Sequence, residues 1–557
     1  MTKILSLFAA AALLVAWMLP NHYFPWATAL NEFAVFFGAL LLSIVILTKQ
    51  IKINRSIALF GVLAAIPILQ YQAGIIFFWG DALVASLYIL GFATMVLVGY
   101  NLSLTQQHSQ VIYRMLAYVF LIGSILSIYI ALKQWLLQAN SFWIADLQPG
   151  GRPYANLAQP NMLATLLCIG LASTLYLFET RKMQAFAASL TTFFLLFGIA
   201  LTQSRTPWVG AIFAIVFWAW KTRHLTPRLS YKWLIVWALV YALLILSIPQ
   251  LSNVLDLDVG SLSLKERNLI NQRMDIWHQL ITAVLNGPLW GYGWNQVSVA
   301  QVTISNIAPV SHLVPIIVNT EHSHNIMLDM VVWNGPLLGG IIIVALATWL
   351  IRMTLGTRTL ESVFGLLAIG FLMIHAMLEY PLEYAYFLLP AGLIIGLITA
   401  DQLPVRTFTL PRPIYALYLV AAGFGYVTLW QEYRLIENDA RLLRFENAHI
   451  GTLKAATVVP DVTQLTQLRE YIRFARVKPT DHMTDAQLQT MEEVAHRNPT
   501  FFALYRYNFA LALNHKPNAQ LELARLRGLY GEQLYHKTVN QINIDVPKTA
   551  SQSTATR

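Results

Sequence analysis

Charged residues are scarce in this chain of 557 residues, because Asp, Glu, Lys and Arg together make up only 11% of it. A soluble globular domain carries about 25% charged residues, so this supply is too small for an ordinary water-facing surface. Cysteine is nearly absent too, since Cys168 is the only one. A single cysteine excludes an intrachain disulfide and a metal site built from several cysteines.

Hydrophobic residues make up 57% of the chain, and the mean hydropathy is +0.55. Apolar runs of about 18 residues predict transmembrane helices, and we expect an all-α, polytopic membrane helical bundle with about 12–13 of them. The apolar runs are 4–20, 31–48, 56–70, 79–100, 112–135, 161–178, 184–201, 207–221, 233–249, 326–351, 361–379, 384–401 and 413–430.

The distribution of Lys and Arg predicts the orientation, because loops rich in these residues stay in the cytoplasm. Alternate short loops carry Lys49, Lys52 and Arg55; Arg181 and Lys182; Lys221, Arg223, Arg228 and Lys232; Arg352 and Arg358; Arg406 and Arg412. These loops place the N-terminus inside and the C-terminal tail outside, which is the periplasm for a bacterial inner-membrane protein. They also account for much of the net charge of +10, so no nucleic-acid partner is expected.

Four segments follow from this pattern: transmembrane residues 1–249, a large periplasmic loop at 250–325, further transmembrane helices at 326–430, and a periplasmic tail at 431–557. The tail is amphipathic at helical spacing and resembles an array of tetratricopeptide-like helical hairpins. Its predicted helices lie near 462–477, 484–496, 500–514 and 517–531.

Polar residues gather in segments that the predicted topology places on the outer side of the membrane. Arg152, Arg205 and Arg273 stand out, because the outer loops are otherwise poor in positive charge. Arginine offers forked donors that suit phosphate oxygens, and helix N-termini favour anions. A histidine beside them can take a proton from an attacking hydroxyl. This combination predicts an outer-face site for a phosphate-activated substrate that is anchored in the membrane lipid. The polar segments are 150–161, 202–207, 271–277, 321–325 and 375–384.

Structural explanations exist for the same residues. Arginines in outer loops often pair with lipid headgroups, and Glu379 and Glu383 are able to pair with those arginines. Aromatic residues near loop ends are typical of an interfacial belt. Asp81 is expected to be shallow or paired inside the bundle. The loop histidines with no assigned role are His22, His108 and His312.

A metal site is the alternative chemical interpretation. His322 and His324 are two residues apart, whereas a helical metal pair is four apart. The element Asp256-Leu257-Asp258 is similar to the acidic metal motif of nucleotide-sugar transferases. It lies in the outer loop, where no nucleotide is expected, so we predict no metal and no cofactor.

The motifs resemble the O-antigen ligase and polymerase superfamily, and within it the PglL-type protein O-oligosaccharyltransferases of bacteria. The resemblance covers most of the membrane domain. The turn from Leu378 to Tyr384 favours protein O-glycosylation enzymes over lipopolysaccharide ligases. The motifs that carry the resemblance are Gln159-Pro160-Asn161, Ser204-Arg205-Thr206, Arg273 with Trp277, His324-Asn325 and Leu378-Glu379-Tyr380-Pro381-Leu382-Glu383-Tyr384.

The resemblance implies transfer of an oligosaccharide from undecaprenyl diphosphate to Ser or Thr of a periplasmic protein or a type IV pilin. In this family arginines that correspond to Arg205 and Arg273 bind the diphosphate, and His324 corresponds to the essential histidine. Glu321 is expected to orient the imidazole of His324 if the stretch between them is helical. The supporting residues are Arg152, Gln159, Asn161, Glu321, His322, Asn325, Glu379, Glu383 and Tyr384.

Three other functions remain open at this point. An O-antigen ligase would transfer the same glycan to lipid A-core, and an O-antigen polymerase would extend it. A transporter would show broken helices and charges at mid-membrane depth, whereas the polar residues here gather at one surface.

Overall fold

The computed structural model describes residues 2–20, 24–138, 141–148, 150–225, 227–257, 262–309, 320–401, 406–450 and 460–555, without the side chains of 224, 262–272 and 547–555. The all-α prediction is confirmed. The helices are α1 Thr2–Met18, α2 Ala29–Val45, α3 Arg55–Leu63, α4 Ile66–Gln72, α5 Trp79–Leu102, α6 Gln106–Trp135, α7 Pro160–Glu179, α8 Ala185–Thr202, α9 Thr206–Lys221, α10 Tyr231–Val254, α11 Leu262–Asn286, α12 Val297–Ile304, α13 Ile326–Gly356, α14 Leu360–Ala376, α15 Ala385–Asp401, α16 Arg412–Asn447, α17 Thr466–Arg476, α18 Asp485–Arg497, α19 Phe501–Leu513 and α20 Ala519–Ala555.

Each predicted transmembrane run corresponds to helix. Among the described residues, nine helical stretches are long and apolar enough to cross a membrane, and three more apolar helices, α1, α14 and α15, are shorter. The run at 56–70 is two consecutive helices, α3 and α4, rather than one. The side chain of Asn54 accepts a hydrogen bond from the Ile57 N–H and so caps the start of α3, while Pro67 lies in the first turn of α4.

The chain forms two compact units, and each is assembled from three separate stretches. Unit 1 comprises Met1–Ala64, Leu87–Ser261 and Ala347–Thr428. Unit 2 comprises Ala65–Ser86, Leu262–Leu346 and Leu429–Arg557. The linear division of the sequence into four segments stays a prediction.

Unit 1 contains apolar helices, and polar contacts connect the loops between these helices to one another. The loop after α2 forms strand β1, Ile51–Asn54, which pairs antiparallel with β2, Thr407–Leu410, in the register Ile51 to Leu410. The ammonium of Lys221, at the end of α9, donates to the carbonyls of Thr354 and Thr357. These contacts join loops that the Lys and Arg pattern assigns to one side of the membrane.

The predicted tail helices are present in unit 2 as α17 to α20. Thr484 and Gln487 form a reciprocal capping box at the start of α18, which satisfies backbone donors that have no partner within the helix. Helix α18 packs against α19, and α19 against α20. A shared apolar cluster includes Phe78, Val302, Leu488, Met491, Val494, Leu504 and Leu526. The tail core therefore also buries residues that precede α5 and lie in α12.

Candidate active site

Unit 1 brings four of the predicted polar positions together around the side chain of Asn161, in the first turn of α7. The Oδ1 of Asn161 accepts from Ser204 Oγ at 2.6 Å and from Arg152 Nη2 at 3.4 Å. Its Nδ2 donates to Glu379 Oε1 at 3.2 Å. Arg152 also donates to the Thr202 carbonyl at 2.9 Å. We name these five residues the Asn161 cluster, and it joins three of the polar sequence segments.

Arg205 directly precedes α9 and follows Ser204 of the Asn161 cluster. Its side chain is exposed. The backbone reverses between α8 and α9 because Gln203 adopts the left-handed conformation, with a φ of 49°. This turn presents the guanidinium at a helix N-terminus, where free N–H groups add partial positive charge. The position suits an anion such as a diphosphate.

Gln159 lies at the N-cap position of α7, two residues before Asn161. Its side-chain nitrogen Nε2 is buried without a hydrogen-bond partner among the described residues. Buried donors in proteins are nearly always hydrogen-bonded, so this nitrogen is a candidate donor to a substrate.

Tyr384 belongs to an aromatic stack in the turn between α14 and α15. Its ring centroid lies 6.3 Å from that of Tyr380 and 5.1 Å from that of Tyr386, with nearly parallel planes. Glu383 ends a short 3₁₀ turn immediately before it. Glu32 Oε2 of α2 accepts a hydrogen bond from the Ala385 N–H at 2.8 Å. This contact fixes the first residue of α15, directly after Tyr384.

Glu32 was missed by sequence reasoning, although it is the only acidic residue of α2 and is 2% exposed. A lone carboxylate in an apolar helix is itself a signal, because such a group needs a partner inside the protein.

In unit 2, His324 lies in the segment 320–325, which we name the histidine loop. Ser323 anchors this loop. Its N–H donates to Asp329 Oδ1 of α13 at 2.8 Å, and its carbonyl accepts from Trp277 Nε1 of α11 at 2.8 Å. Ser323 is fully buried and Asp329 is 2% exposed. The loop is therefore held from two helices at once.

His324 adopts the left-handed backbone conformation, with a φ of 60°. For a residue other than glycine this costs about 1–3 kcal/mol and persists only where the surroundings impose it. Asn325 follows as a helix cap, because its Oδ1 accepts from the N–H groups of Met327 at 3.0 Å and Leu328 at 3.2 Å. The left-handed turn at His324 therefore lies immediately before the capped start of α13.

His322 and Glu321 differ in their environments. Burial lowers the pKa of His322 to about 3, with further contributions from His324 and from the positive charge of Arg497. Its imidazole is therefore neutral at neutral pH. Glu321 is exposed, and the histidine loop is not helical. The helical alignment expected between Glu321 and His324 is thus absent, and an orienting role for Glu321 stays a prediction.

Arg273 lies on α11 one turn before Trp277 and is half-buried. Residues four apart share a face of a helix. Because Trp277 binds the histidine loop, the same contact that holds the loop also fixes the helix that carries Arg273. Arg273 therefore lies on a helix that is bonded to the histidine loop one turn further along.

The motif Gly291-Tyr292-Gly293-Trp294 pairs with a break inside α13. The N–H of Tyr292 donates to the Val332 carbonyl at 2.9 Å, and the N–H of Gly293 to the Trp333 carbonyl at 3.0 Å. Helix α13 was expected to be continuous over 326–351, but Gly335 has a φ of 75° and interrupts it. A β-carbon on Gly335 would lie 1.9 Å from the Leu289 carbonyl oxygen. Only glycine fits this approach.

The predicted site residues thus form two groups, one in each unit. Unit 1 contains Arg152, Gln159, Asn161, Arg205, Glu379, Glu383 and Tyr384, and unit 2 contains Arg273, Glu321, His322, His324 and Asn325. Of the alternatives, His108 lies in the first turn of α6. His22, Asp258 and His312 lie outside the described residues.

Three family models match consecutive parts of the chain. A protein glycosylation ligase model matches residues 153–178, an O-antigen ligase model 190–344, and the C-terminal model of a virulence-factor membrane-bound polymerase 363–543. A general O-oligosaccharyltransferase of Acinetobacter baylyi is 30% identical over 563 residues, which cover 98% of this chain and 95% of that protein. The chain belongs to the bacterial O-oligosaccharyltransferases.

A ComP-specific O-oligosaccharyltransferase of the same organism is 27% identical over 504 residues, 88% of each chain. The transferase is an enzyme of the glycosyltransferase class, as the motifs implied. Its predicted site residues lie within the matched regions, apart from Arg152, which directly precedes the first region. Gln159 and Asn161 lie in the protein glycosylation ligase match. The O-antigen ligase match contains Arg205, Arg273 and His324, and the polymerase match contains Glu383 and Tyr384.

Within the described residues of the transferase, the cluster of side chains with metal-binding spacing lies in the tail. The ligand atoms of Glu492, His496 and Glu522 lie within 4.8 Å of one another. His496 Nε2 and Glu522 Oε2 are 2.9 Å apart, and Arg525 also pairs with Glu522. A buried ion network accounts for this cluster, and it includes none of the predicted site residues.

The break in α13 predicts that Gly335→Ala destabilises the transferase by more than about 2 kcal/mol, because the substitution combines a steric clash with an unfavourable φ. The measurement is thermal unfolding of the purified protein in detergent. Gly340→Ala is the matched control, since a β-carbon there meets nothing within 4 Å. Equal melting temperatures for the two variants would contradict the role assigned to Gly335.

Proposed function

We propose that this enzyme transfers an oligosaccharide from undecaprenyl diphosphate to a Ser or Thr hydroxyl of an acceptor protein. The acceptor is a periplasmic protein or a type IV pilin, and the reaction takes place at the periplasmic face of the inner membrane. The observation that carries this proposal is the histidine loop, in which a strained backbone and two anchoring helices fix His324 next to a neutral His322.

In the proposed reaction the acceptor oxygen attacks the anomeric carbon of the first sugar. The new carbon–oxygen bond forms as the bond between that carbon and the diphosphate oxygen breaks. The hydroxyl proton passes to an imidazole nitrogen of His324, and the electron pair of the broken bond leaves with the diphosphate. A single displacement of this kind inverts the anomeric configuration.

Arg205 and Arg273 are the proposed ligands of the diphosphate. The leaving group gains negative charge as the glycosidic bond breaks. Preplaced guanidinium groups therefore stabilise the transition state more than the ground state. This role agrees with the exposed position of Arg205 at a helix N-terminus and with the anchoring of the Arg273 helix through Trp277.

The remaining site residues have proposed supporting roles. Gln159 offers a buried donor nitrogen without a partner among the described residues, which suits a hydrogen bond to substrate. Tyr384 and Glu383 are held in place by the aromatic stack and by the Glu32 contact. Asn161 fixes the positions of the Arg152 and Glu379 side chains, because it forms a hydrogen bond with each of them.

A protein acceptor is favoured over lipid A-core by two findings. The region around Gln159 and Asn161 matches the protein glycosylation ligase model. Both relatives named above are O-oligosaccharyltransferases, one general and one ComP-specific. A ligase acting on lipopolysaccharide is the second candidate, because residues 190–344 match the O-antigen ligase model.

His324→Ala is expected to lower the rate of glycan transfer by about 10²–10⁴-fold, the usual contribution of a general base. The measurement is the initial rate with purified enzyme, lipid-linked donor and acceptor protein. His278→Ala is the matched control, because His278 is an exposed histidine on α11. A His324→Ala rate equal to that of wild type would exclude His324 as the base.

Arg205→Gln and Arg273→Gln are each expected to reduce transfer, and Lys at either position to restore it only in part, because lysine cannot form the bidentate contact. If both bind one diphosphate, the double variant should lose less than the sum of the two single losses in activation free energy. Strict additivity over several donor concentrations would indicate that the two arginines act on different groups.

A further inference from the structure

His375 lies in the last turn of α14, and its imidazole is hydrogen-bonded to Thr165 of α7. The Nδ1 of His375 and the Oγ1 of Thr165 are 2.8 Å apart. His375 is fully buried, and Thr165 is 3% exposed. Both residues belong to unit 1. The pair therefore joins two apolar helices at a place where polar groups must find their partners within the protein.

This pair lies one helical turn from the Asn161 cluster on both helices. Thr165 follows Asn161 by four residues in α7, and residues four apart share a face of a helix. Glu379 follows His375 by four residues, and its N–H donates to the His375 carbonyl at 2.8 Å. The side chains of Asn161 and Glu379 are in turn joined by a hydrogen bond of 3.2 Å. Two polar contacts, one turn apart, therefore connect α7 to the end of α14.

The inner contact determines where the outer one can form. The His375 carbonyl accepts from the N–H groups of Leu378 at 2.9 Å and Glu379 at 2.8 Å. The turn after α14 thus begins at a residue whose side chain is fixed on α7. A slide or rotation of α14 against α7 would separate Glu379 from Asn161, and the same movement would break the contact between His375 and Thr165.

We propose that His375 and Thr165 are positioning residues for the lipid diphosphate of the donor. They act through the Asn161 cluster, which holds the guanidinium of Arg152 and the serine that directly precedes Arg205. The proposal rests on the proposed function, in which Arg205 binds the diphosphate. Neither His375 nor Thr165 is assigned a contact with the substrate.

A contact that serves only stability is the alternative explanation for this pair. Hydrogen bonds between membrane helices contribute modestly to stability, because polar groups also find partners in the unfolded state within the membrane. Ionisable side chains in membrane helices are costly, and they occur mainly where function requires them. The place of His375, one turn from the site residue Glu379, therefore favours a positioning role.

The test measures the binding of undecaprenyl diphosphate, without a glycan or an acceptor, to full-length variants in detergent. Thr165→Val removes the hydroxyl and nearly keeps the size of the side chain. It should raise Kd about threefold or more, as expected when one of two coupled contacts is lost. Thr165→Ser keeps the hydroxyl and should bind like the wild type. A contact that served stability alone would lower the melting temperature and leave the Kd of the folded protein unchanged.

Ser124→Ala is the matched control for a lost contact between buried helices. The Oγ of Ser124 in α6 donates to the Leu166 carbonyl of α7 at 3.1 Å, and Ser124 is fully buried. This contact lies beside Thr165 in the sequence of α7, but it includes no residue of the Asn161 cluster. The substitution should lower the melting temperature and leave the Kd unchanged.

Thr165→Val in an Asn161→Ala background tests whether the pair acts through the Asn161 cluster. The increase in Kd should be smaller there than in the wild-type background. An equal increase in both backgrounds, or a wild-type Kd for folded Thr165→Val, overturns the proposal. His375→Leu removes the other half of the contact and decides in the same way if Thr165→Val does not fold. Failure of the wild-type enzyme to bind undecaprenyl diphosphate would instead overturn the proposed function.

Discussion

Hydrocarbon offers no hydrogen-bond partners, so the polar side chains of the apolar helices must find them within the protein. Asn161, Glu32 and Asp329 each lie at or near the start of an apolar helix, and each bonds a segment outside its own helix. These contacts fix the turn after α14, the start of α15 and the histidine loop. The need to satisfy a few buried polar groups therefore also positions the residues proposed for catalysis.

The two groups of site residues are built differently. In unit 1 side chains bond to side chains, and Asn161 joins Arg152, Ser204 and Glu379. In unit 2 the contacts involve the backbone: side chains of α11 and α13 bond the backbone of Ser323, and His324 adopts the left-handed conformation. The second arrangement stores strain in the loop, which persists because Trp277 of α11 and the buried Asp329 of α13 hold it.

The helices were predictable from the sequence because apolar runs and amphipathic periodicity depend only on nearby residues. The break in α13 was not, because it depends on the approach of Gly291 to Gly335, which are 44 residues apart. The same limit applies to the strands β1 and β2, which pair over more than 350 residues of chain.

The site residues were found as motifs, but their partners were not. Arg273 with Trp277 was recognised, whereas the bond from Trp277 to the Ser323 carbonyl required the structure. Glu321 was expected to orient His324 through a helix, and the loop there is not helical. The pairing of Asp81 with Arg497 joins a membrane-helix entrance to the tail, and no local pattern in the sequence indicates it.

The most direct measurement is the intact mass of an acceptor protein that is coexpressed with this enzyme and a lipid-linked glycan pathway. We expect a gain equal to the mass of the glycan on a Ser or Thr, present with the wild-type enzyme and lost with His324→Ala at equal abundance in the membrane. An unmodified acceptor in cells whose lipopolysaccharide acquires the glycan would contradict protein glycosylation and identify the enzyme as a ligase.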